Sequence, residues 1–295
     1  IYTLSLHDAL PISFGAIETL QSLAESDSQI RAAAVSGSLT DPQGTPDLFS
    51  DCDAVFFVRD LERAKQTDYP ALLAPRFGGL VICQCPDAMG AEAGSAPWFT
   101  WLMQFEETRI DLRLLPVEWA GWYNAMEPGL TPFLDKDGLF DGLEPTGHNL
   151  FSLRRPTSRE FAGCCNELLW TSLYVVKGLC RGQLEYAVWH MNHCVLPELV
   201  RMVSFDRGFD SDYAVSLGAG NKYLPRLLLP EELARWHSLY DLSGPESCAS
   251  ALMLSLGLFR RHCTSAAGKL GYPMPAELDR VEQRCRHLLT EYRLF

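Results

Sequence analysis

The 295 residues are enough for one large domain or two ordinary ones, and 47% hydrophobic with 21% charged side chains suits a globular protein with a real core. No apolar run approaches the roughly 18 residues of a membrane span. A formal net charge of −12 sets the chain against a nucleic-acid backbone as its main partner. The same acidity suits a cationic small molecule steered into an acidic cleft, and equally a surface charged only for solubility.

The first twelve residues, IYTLSLHDALPI, read as the conceptual translation of a sequencing-library adapter, so residues 1–12 are set outside the fold and His7 and Asp8 receive no role. Apolar residues Ile17, Leu20, Leu23 and Ala24 have helical spacing. Residues 30–35 read as a buried strand ending in a turn. Cys52–Val58, CDAVFFV, is a second strand whose continuous apolar run suits cover on both faces. Residues 62–73 read as one helix and 80–83 as a short strand. Residues 98–105 and 109–115 flank a turn at Glu106, Glu107 and Thr108, which predicts a hairpin.

Gly142, Pro145, Gly147 and Pro156 then punctuate a stretch with little periodicity, read as a linker over 146–157. Beyond it the patterns are helical: 158–180 with Ser158 as N-cap, 183–205 kinked near Pro197, then 231–240, 246–270 and 275–292. The expected organisation is a sheet domain over 13–145, the linker, and a helical domain over 158–295. The ten cysteines form no regular framework and no secretory leader precedes them, so reduced thiols in cytoplasm are expected. Cys83 with Cys85, and His190, His193 and Cys194, lack the paired spacing of a zinc ribbon or finger.

The chemistry concentrates in VSGSLTDPQGTPDLFSDCDAVFFV, residues 35–58. A strand ends at Gly37-Ser38, and Asp51 and Asp53 enter the next one separated by apolar Cys52. Strand alternation puts the two carboxylates on one face. They repel each other unless a cation lies between them. Mg²⁺ favours such oxygens and usually arrives with substrate phosphates. Gly37 lets backbone approach a ligand closely, and Ser38 offers a hydroxyl and an N–H to phosphate oxygens. A third carboxylate, Asp111, lies between Ile110 and Leu112 in a later strand, where it needs solvent or a partner. An Asp-x-Asp triplet alone is common. The ordered set of Gly-Ser, Asp-x-Asp and a later strand Asp is far more specific.

That order resembles the signature of the polymerase-beta-like nucleotidyltransferase fold, and more closely the streptomycin (aminoglycoside 6-) adenylyltransferases. The blocks IRAAAVSGS, FSDCDAVFFV, FEETRIDLRLLP, FLDKDG, EFAGCCNELLWTSLYVVKGLCRGQLEYA and VSLGAGNKYL carry the likeness in order, from about Ala16 to the C-terminal helices. The resemblance implies an α+β protein: an N-terminal mixed sheet with flanking helices, then a C-terminal helical bundle. It implies Mg²⁺ at Asp51 and Asp53, with Asp111 as third ligand, general base or both. Gly37, Ser38, Lys177 and Lys222 would meet the nucleotide. Asn166, Glu167, Trp170 and Glu106 would meet the acceptor, with Glu107 and Glu185 as further acidic candidates. The implied partners are ATP and a cationic aminoglycoside, with neither nucleic acid nor membrane, and a monomer is expected.

Two departures stand out. Leu39 follows the Gly-Ser where the family usually has Arg, and Ala219 stands where it usually has Lys. Two readings therefore stay open beside transfer of AMP to streptomycin: a nucleotidyltransferase for another acceptor, such as a lincosamide or a protein hydroxyl, and a degenerate protein that binds nucleotide or drug without turnover.

Overall fold

The computed structural model describes residues 10–40, 47, 49–89, 96–127, 129–144 and 152–295, with side chains from residue 15. The chain divides into two compact units, 1–150 and 151–295. In the first, helix α1 (Leu10–Ser26) precedes β1 (Ile30–Ser36) and β2 (Cys52–Val58). α1 begins inside the stretch set apart as a tail, whose first nine residues lie outside the described ones. The helix expected over 62–73 is two, α2 (Leu61–Ala64) and α3 (Tyr69–Phe77). Asp68 caps the second by accepting from the Ala71 N–H at 3.1 Å, and Pro70 in its first turn supplies no donor to continue the first.

Strand β3 (Leu80–Gln84) follows, then the expected hairpin of β4 (Phe99–Phe105) and β5 (Arg109–Pro116). Helix α4 (Ala120–Met126) and strand β6 (Thr131–Asp135) complete the unit; neither was read from the sequence. The six strands lie in the order β3-β4-β5-β2-β1-β6. Among the described strands only β2 and β5, the central pair, run parallel; the other neighbours are antiparallel. The sheet is therefore mixed.

Period-two alternation sorts these strands. Cys52, Ala54, Phe56, Ile110, Leu112 and Leu114 join Leu20 of α1 and Leu73 of α3 in one core. Val55, Phe57 and Leu115 join Ala120 and Tyr123 of α4 in another. The FLDKDG block fastens the sheet to α1. Lys136 Nζ donates to the Ala24 and Asp27 carbonyls at 2.6 and 3.0 Å, satisfying the C-terminal end of α1, while Asp137 pairs with Arg31 of β1. The edge strands differ: β6 contains Pro132, whereas β3 exposes Leu80, Val81 and Ile82 by 41%, 63% and 65%.

The second unit is helical: α5 (Ser158–Cys180), α6 (Leu184–His190), α7 (Leu196–Phe209), α8 (Pro230–Ser238), α9 (Pro245–Leu270) and α10 (Leu278–Glu291). They bury a common apolar core that includes Leu168, Val176, Leu199, Leu252 and Phe259. The kink expected near Pro197 is a π-turn over Met191–Val195 between α6 and α7. Pro197 donates no hydrogen bond and its ring crowds the carbonyl four residues back, so the chain widens one turn there.

Inside this unit α7, α8 and α9 share a buried polar network. His262 Nδ1 lies 2.7 Å from Asp206 Oδ2, and Ser265 and Lys269 donate to Asp206 Oδ1 at 2.5 and 2.9 Å. Burial alone would raise the Asp206 carboxyl, but these hydrogen bonds hold it down at about 2. Arg207 and Arg261 pair with buried Glu232 at 2.9 and 3.2 Å. Among the described residues no helix is long and apolar enough to cross a membrane.

The N-cap of α5 is Thr157, one residue before the expected Ser158. The Thr157 hydroxyl accepts from the Glu160 N–H at 3.2 Å, and the Glu160 carboxylate accepts from the Thr157 N–H at 2.8 Å, a reciprocal box. Thr157→Ala should lower stability by about 1 kcal/mol, read in chemical denaturation, whereas Ser158→Ala should leave it nearly unchanged.

Candidate active site

The two central strands start side by side, and their first turns of sequence carry the acids. In the β2–β5 register Asp53 stands opposite Asp111, and in the β1–β2 register Ser36 stands opposite Asp53. Parallel neighbours about 4.8 Å apart put directly opposed side chains on the same face. Buried Cys52, Ala54, Ile110 and Leu112 occupy the other face, so neither carboxylate can turn away without exposing core. Asp53 and Asp111 line one cavity of ≈ 180 Å³ together with Ser36, Ala54, Thr100, Leu102, Arg113, Tyr123 and Glu127.

Gly37 closes the site at the end of β1. Its φ of +71° is a conformation that side chains resist, and a Cβ there would lie 2.1 Å from Asp53 Oδ2. Ser38 follows in the tight turn Gly37–Leu39. Leu39, where the resembled family usually has Arg, packs against the apolar core of the sheet.

Asp51 immediately precedes β2, and its relation to Asp111 runs through a residue given no role in the sequence reading. Arg109 Nε and Nη2 donate to the two Asp111 oxygens at 2.9 and 2.8 Å, and Nε also lies 3.6 Å from Asp51 Oδ2. Among the described residues no three His, Cys, Asp or Glu side chains form a ready metal cage. The Arg109 guanidinium stands between Asp51 and Asp111. Asp53 and Asp111, opposed in register and lining one cavity, with the Asp53 carboxylate seated against Gly37 where a side chain would collide, suit a hard cation that brings further ligands with a phosphate.

Charge is out of balance at Asp53. Burial raises its carboxyl to about 6, helped by repulsion from Asp111, Asp51 and Glu127, while Arg109 pulls the other way. Burial, with the same two aspartates Asp53 and Asp111, pushes the Cys52 thiol to about 12, so it is an inert core group. Arg113 does not pair with these acids. Its guanidinium lies over the Trp98 and Tyr123 rings at 5.8 and 5.6 Å, its Nη1 donates to Tyr123 Oη at 3.3 Å, and its buried Nε has no hydrogen-bond partner. Arg109, Arg113, Tyr123, Thr100 and Glu127 are the residues that sequence reasoning missed. Alternation in RIDLR already put Arg109, Asp111 and Arg113 on one face.

The remaining candidates belong to other elements. Glu106 is in the β4–β5 turn, where its carboxylate accepts from the Gly79 N–H at 3.1 Å and props the approach to β3. Asn166, Glu167, Trp170 and Lys177 follow one another along the exposed side of α5. Asn166 and Trp170 line an apolar cavity of ≈ 580 Å³ with Met274, Pro275 and Val281. The Trp170 indole donates to Tyr174 Oη at 2.9 Å, and the Lys177 ammonium lies 5.6 Å from the Tyr174 ring. His190 and His193 belong to the same aromatic surface: His190 meets Tyr174 and Tyr186, and His193 stacks on Trp189 at 4.7 Å. Glu107 and Glu185 are exposed. Lys222 is exposed beside the Tyr223 ring at 5.1 Å, and Ala219 begins the short turn before it.

The raised Asp53 carboxyl gives a stability test with a definite sign. A carboxyl near 6 in the folded protein and about 3.9 in the unfolded chain binds its proton more tightly when folded. Its contribution is therefore favourable below about pH 4 and is lost as pH rises through 6. Asp53→Asn never carries that charge. In chelator it should melt above wild type at pH 8, and the gap should close by about pH 4; equal melting at both pH values would refute the raised carboxyl. Gly37→Ala should cost at least about 1–3 kcal/mol in the same assay, from strained φ and the collision with Asp53.

A sequence model described as streptomycin adenylyltransferase matches residues 15–287. The chain is 33% identical over 254 residues to the aminoglycoside 6-adenylyltransferase of Bacillus subtilis (strain 168), covering 84% of this chain and 88% of that protein. It is 34% identical over 261 residues to the enzyme of that name from Campylobacter jejuni, covering 88% and 89%. A crystal structure of an aminoglycoside 6-adenyltransferase from Bacillus subtilis is 28% identical with a TM-score of 0.47, over 92% of this chain and 96% of that one. The protein is a nucleotidyltransferase and belongs to the streptomycin adenylyltransferase family.

Proposed function

We propose that this enzyme transfers AMP from ATP to a hydroxyl of an aminoglycoside, with streptomycin as the acceptor and Mg²⁺ as the required ion. The observation that carries the chemistry is the register of Asp53 against Asp111 with Gly37 against Asp53. Family membership and relatives named for aminoglycoside 6-adenylylation support the acceptor class.

In this reading Asp53 and Asp111 hold the ion, and Asp51 offers a further oxygen at the start of β2. Bound there, Mg²⁺ would supply charge neutralisation to the triphosphate and the departing pyrophosphate. Gly37 and Ser38 let the backbone turn approach the phosphates. Asp111, as ligand, base or both, would take the proton of the attacking hydroxyl, so that oxygen attacks the α-phosphorus in line as the bond to pyrophosphate breaks. Lys177 and Lys222 are assigned to the nucleotide. Asn166, Glu167 and Trp170 are assigned to the drug: a carboxylate pairs with a guanidinium through two parallel hydrogen bonds, and an indole face attracts the same cation. Streptomycin carries two guanidinium groups and fits that chemistry better than a neutral acceptor does. Glu106, whose carboxylate also accepts from the Gly79 N–H, is assigned to the drug with Asn166, Glu167 and Trp170. The protein is expected to act as a monomer in the cytoplasm.

Mass spectrometry of an antibiotic panel incubated with protein, ATP and Mg²⁺ tests the reading. Streptomycin should gain one AMP, on its guanidinium-bearing ring, with release of pyrophosphate. Asp53→Asn should stay folded and lose several powers of ten in turnover, with drug binding much less affected. Glu167→Gln should raise KM for streptomycin more than for ATP. A modified lincosamide with untouched streptomycin would show the right chemistry on the wrong drug. Drug binding without any ATP consumption would identify the degenerate binder that Leu39 and Ala219 keep in view.

A further inference from the structure

We propose that Arg109 is a built-in counter-ion for the carboxylate cluster, occupying the place of the divalent cation in the metal-free enzyme and giving way when that ion arrives. The inference rests on the reading of Asp53 and Asp111 as metal ligands.

The guanidinium grips Asp111 with two hydrogen bonds, at 2.9 and 2.8 Å, and its Nε reaches to 3.6 Å from Asp51. It thus engages carboxylate oxygens of two of the three acids. The second arginine on the same strand face does not share this task. Arg113 points to Tyr123 and the Trp98 ring and forms no ion pair with these aspartates. The need for a counter-ion is plain from the neighbours: Asp111, Asp51 and Glu127 all repel a charge at Asp53, and Arg109 opposes them. Arg109 is also able to leave. It sits at the first position of β5, beside the hairpin turn, and its side chain is 42% exposed. An ion pair so open to water is weak, and the released guanidinium is readily hydrated.

The consequence is competition. An incoming cation must displace two charge-assisted hydrogen bonds before Asp111 can turn to it. Arg109 therefore weakens metal binding while protecting the empty cluster from its own repulsion.

The test is Mn²⁺ binding without nucleotide, followed by the electron paramagnetic resonance of free Mn²⁺, together with melting in chelator. Arg109→Gln should bind Mn²⁺ on the order of ten-fold more tightly than wild type, the factor expected for losing a charge-assisted hydrogen-bonded rival. It should melt lower than wild type in chelator and be raised further by Mn²⁺. Arg109→Lys keeps the charge but not the two-pronged grip, and should fall between them. Asp53→Asn should abolish the binding in every background. A folded Arg109→Gln protein with unchanged or weaker Mn²⁺ binding that still depends on Asp53 would overturn the counter-ion role and leave the metal reading standing. Absence of Asp53-dependent binding in all variants would overturn both. Should Arg109→Gln not fold in either buffer, Arg109→Lys decides: tighter binding than wild type supports the proposal and equal binding refutes it.

Discussion

Two parallel strands cannot carry acids at opposed positions without holding their charges a strand's width apart. That constraint governs the sheet unit. The apolar residues alternating with Asp53 and Asp111 anchor the opposite face in the core, so the carboxylates are fixed by packing that has nothing to do with their charge. Around them the structure makes matching concessions. Gly37 gives up a side chain, Arg109 lends a positive charge, and burial with the remaining repulsion leaves the Asp53 carboxyl raised to about 6.

The helical unit buries carboxylates on different terms. Asp206 is shielded from water more completely than Asp53, yet its carboxyl lies near 2 while that of Asp53 lies near 6. The difference is partners. Asp206 receives hydrogen bonds from His262, Ser265 and Lys269, and so ties α7 to α9. Satisfied acids serve as joints between helices, and removing one partner would leave a buried charge uncompensated. The acid left in repulsion is the one lining the cavity, as expected where a site is shaped for a partner that comes and goes.

Much of this was legible in the sequence. The strand carrying Asp53 and the hairpin carrying Asp111 follow from continuous apolar runs and alternation, and α5 follows from its helical period to the residue. What was missed has local causes. The pair α2 and α3 read as one helix because the apolar spacing carries through, although Asp68 and Pro70 already marked a new start. Helix α4 passed unread although Ala120, Tyr123 and Asn124 bury one face at helical spacing; with it went Tyr123 and Glu127. The Thr157 cap was displaced by one residue because two hydroxyls stand together and only the reach of Glu160 chooses between them. Arg109 was beyond spacing alone. Its role depends on which of two arginines on one face finds the carboxylates, and that is decided by the aromatic rings that take Arg113.

The two rims of the sheet have different social consequences. At β6, Pro132 deletes a backbone donor, and Lys136 and Asp137 are drawn inward to α1 and β1. At β3 the strand carries Leu80, Val81 and Ile82 in a row, all substantially exposed. An incoming extended chain finds a broken ladder on one side and a greasy, ready template on the other. The sheet thus has a polarity for aggregation: the β3 rim is the more open to an added strand, and a single lysine at Val81 would place a charge where growth would begin.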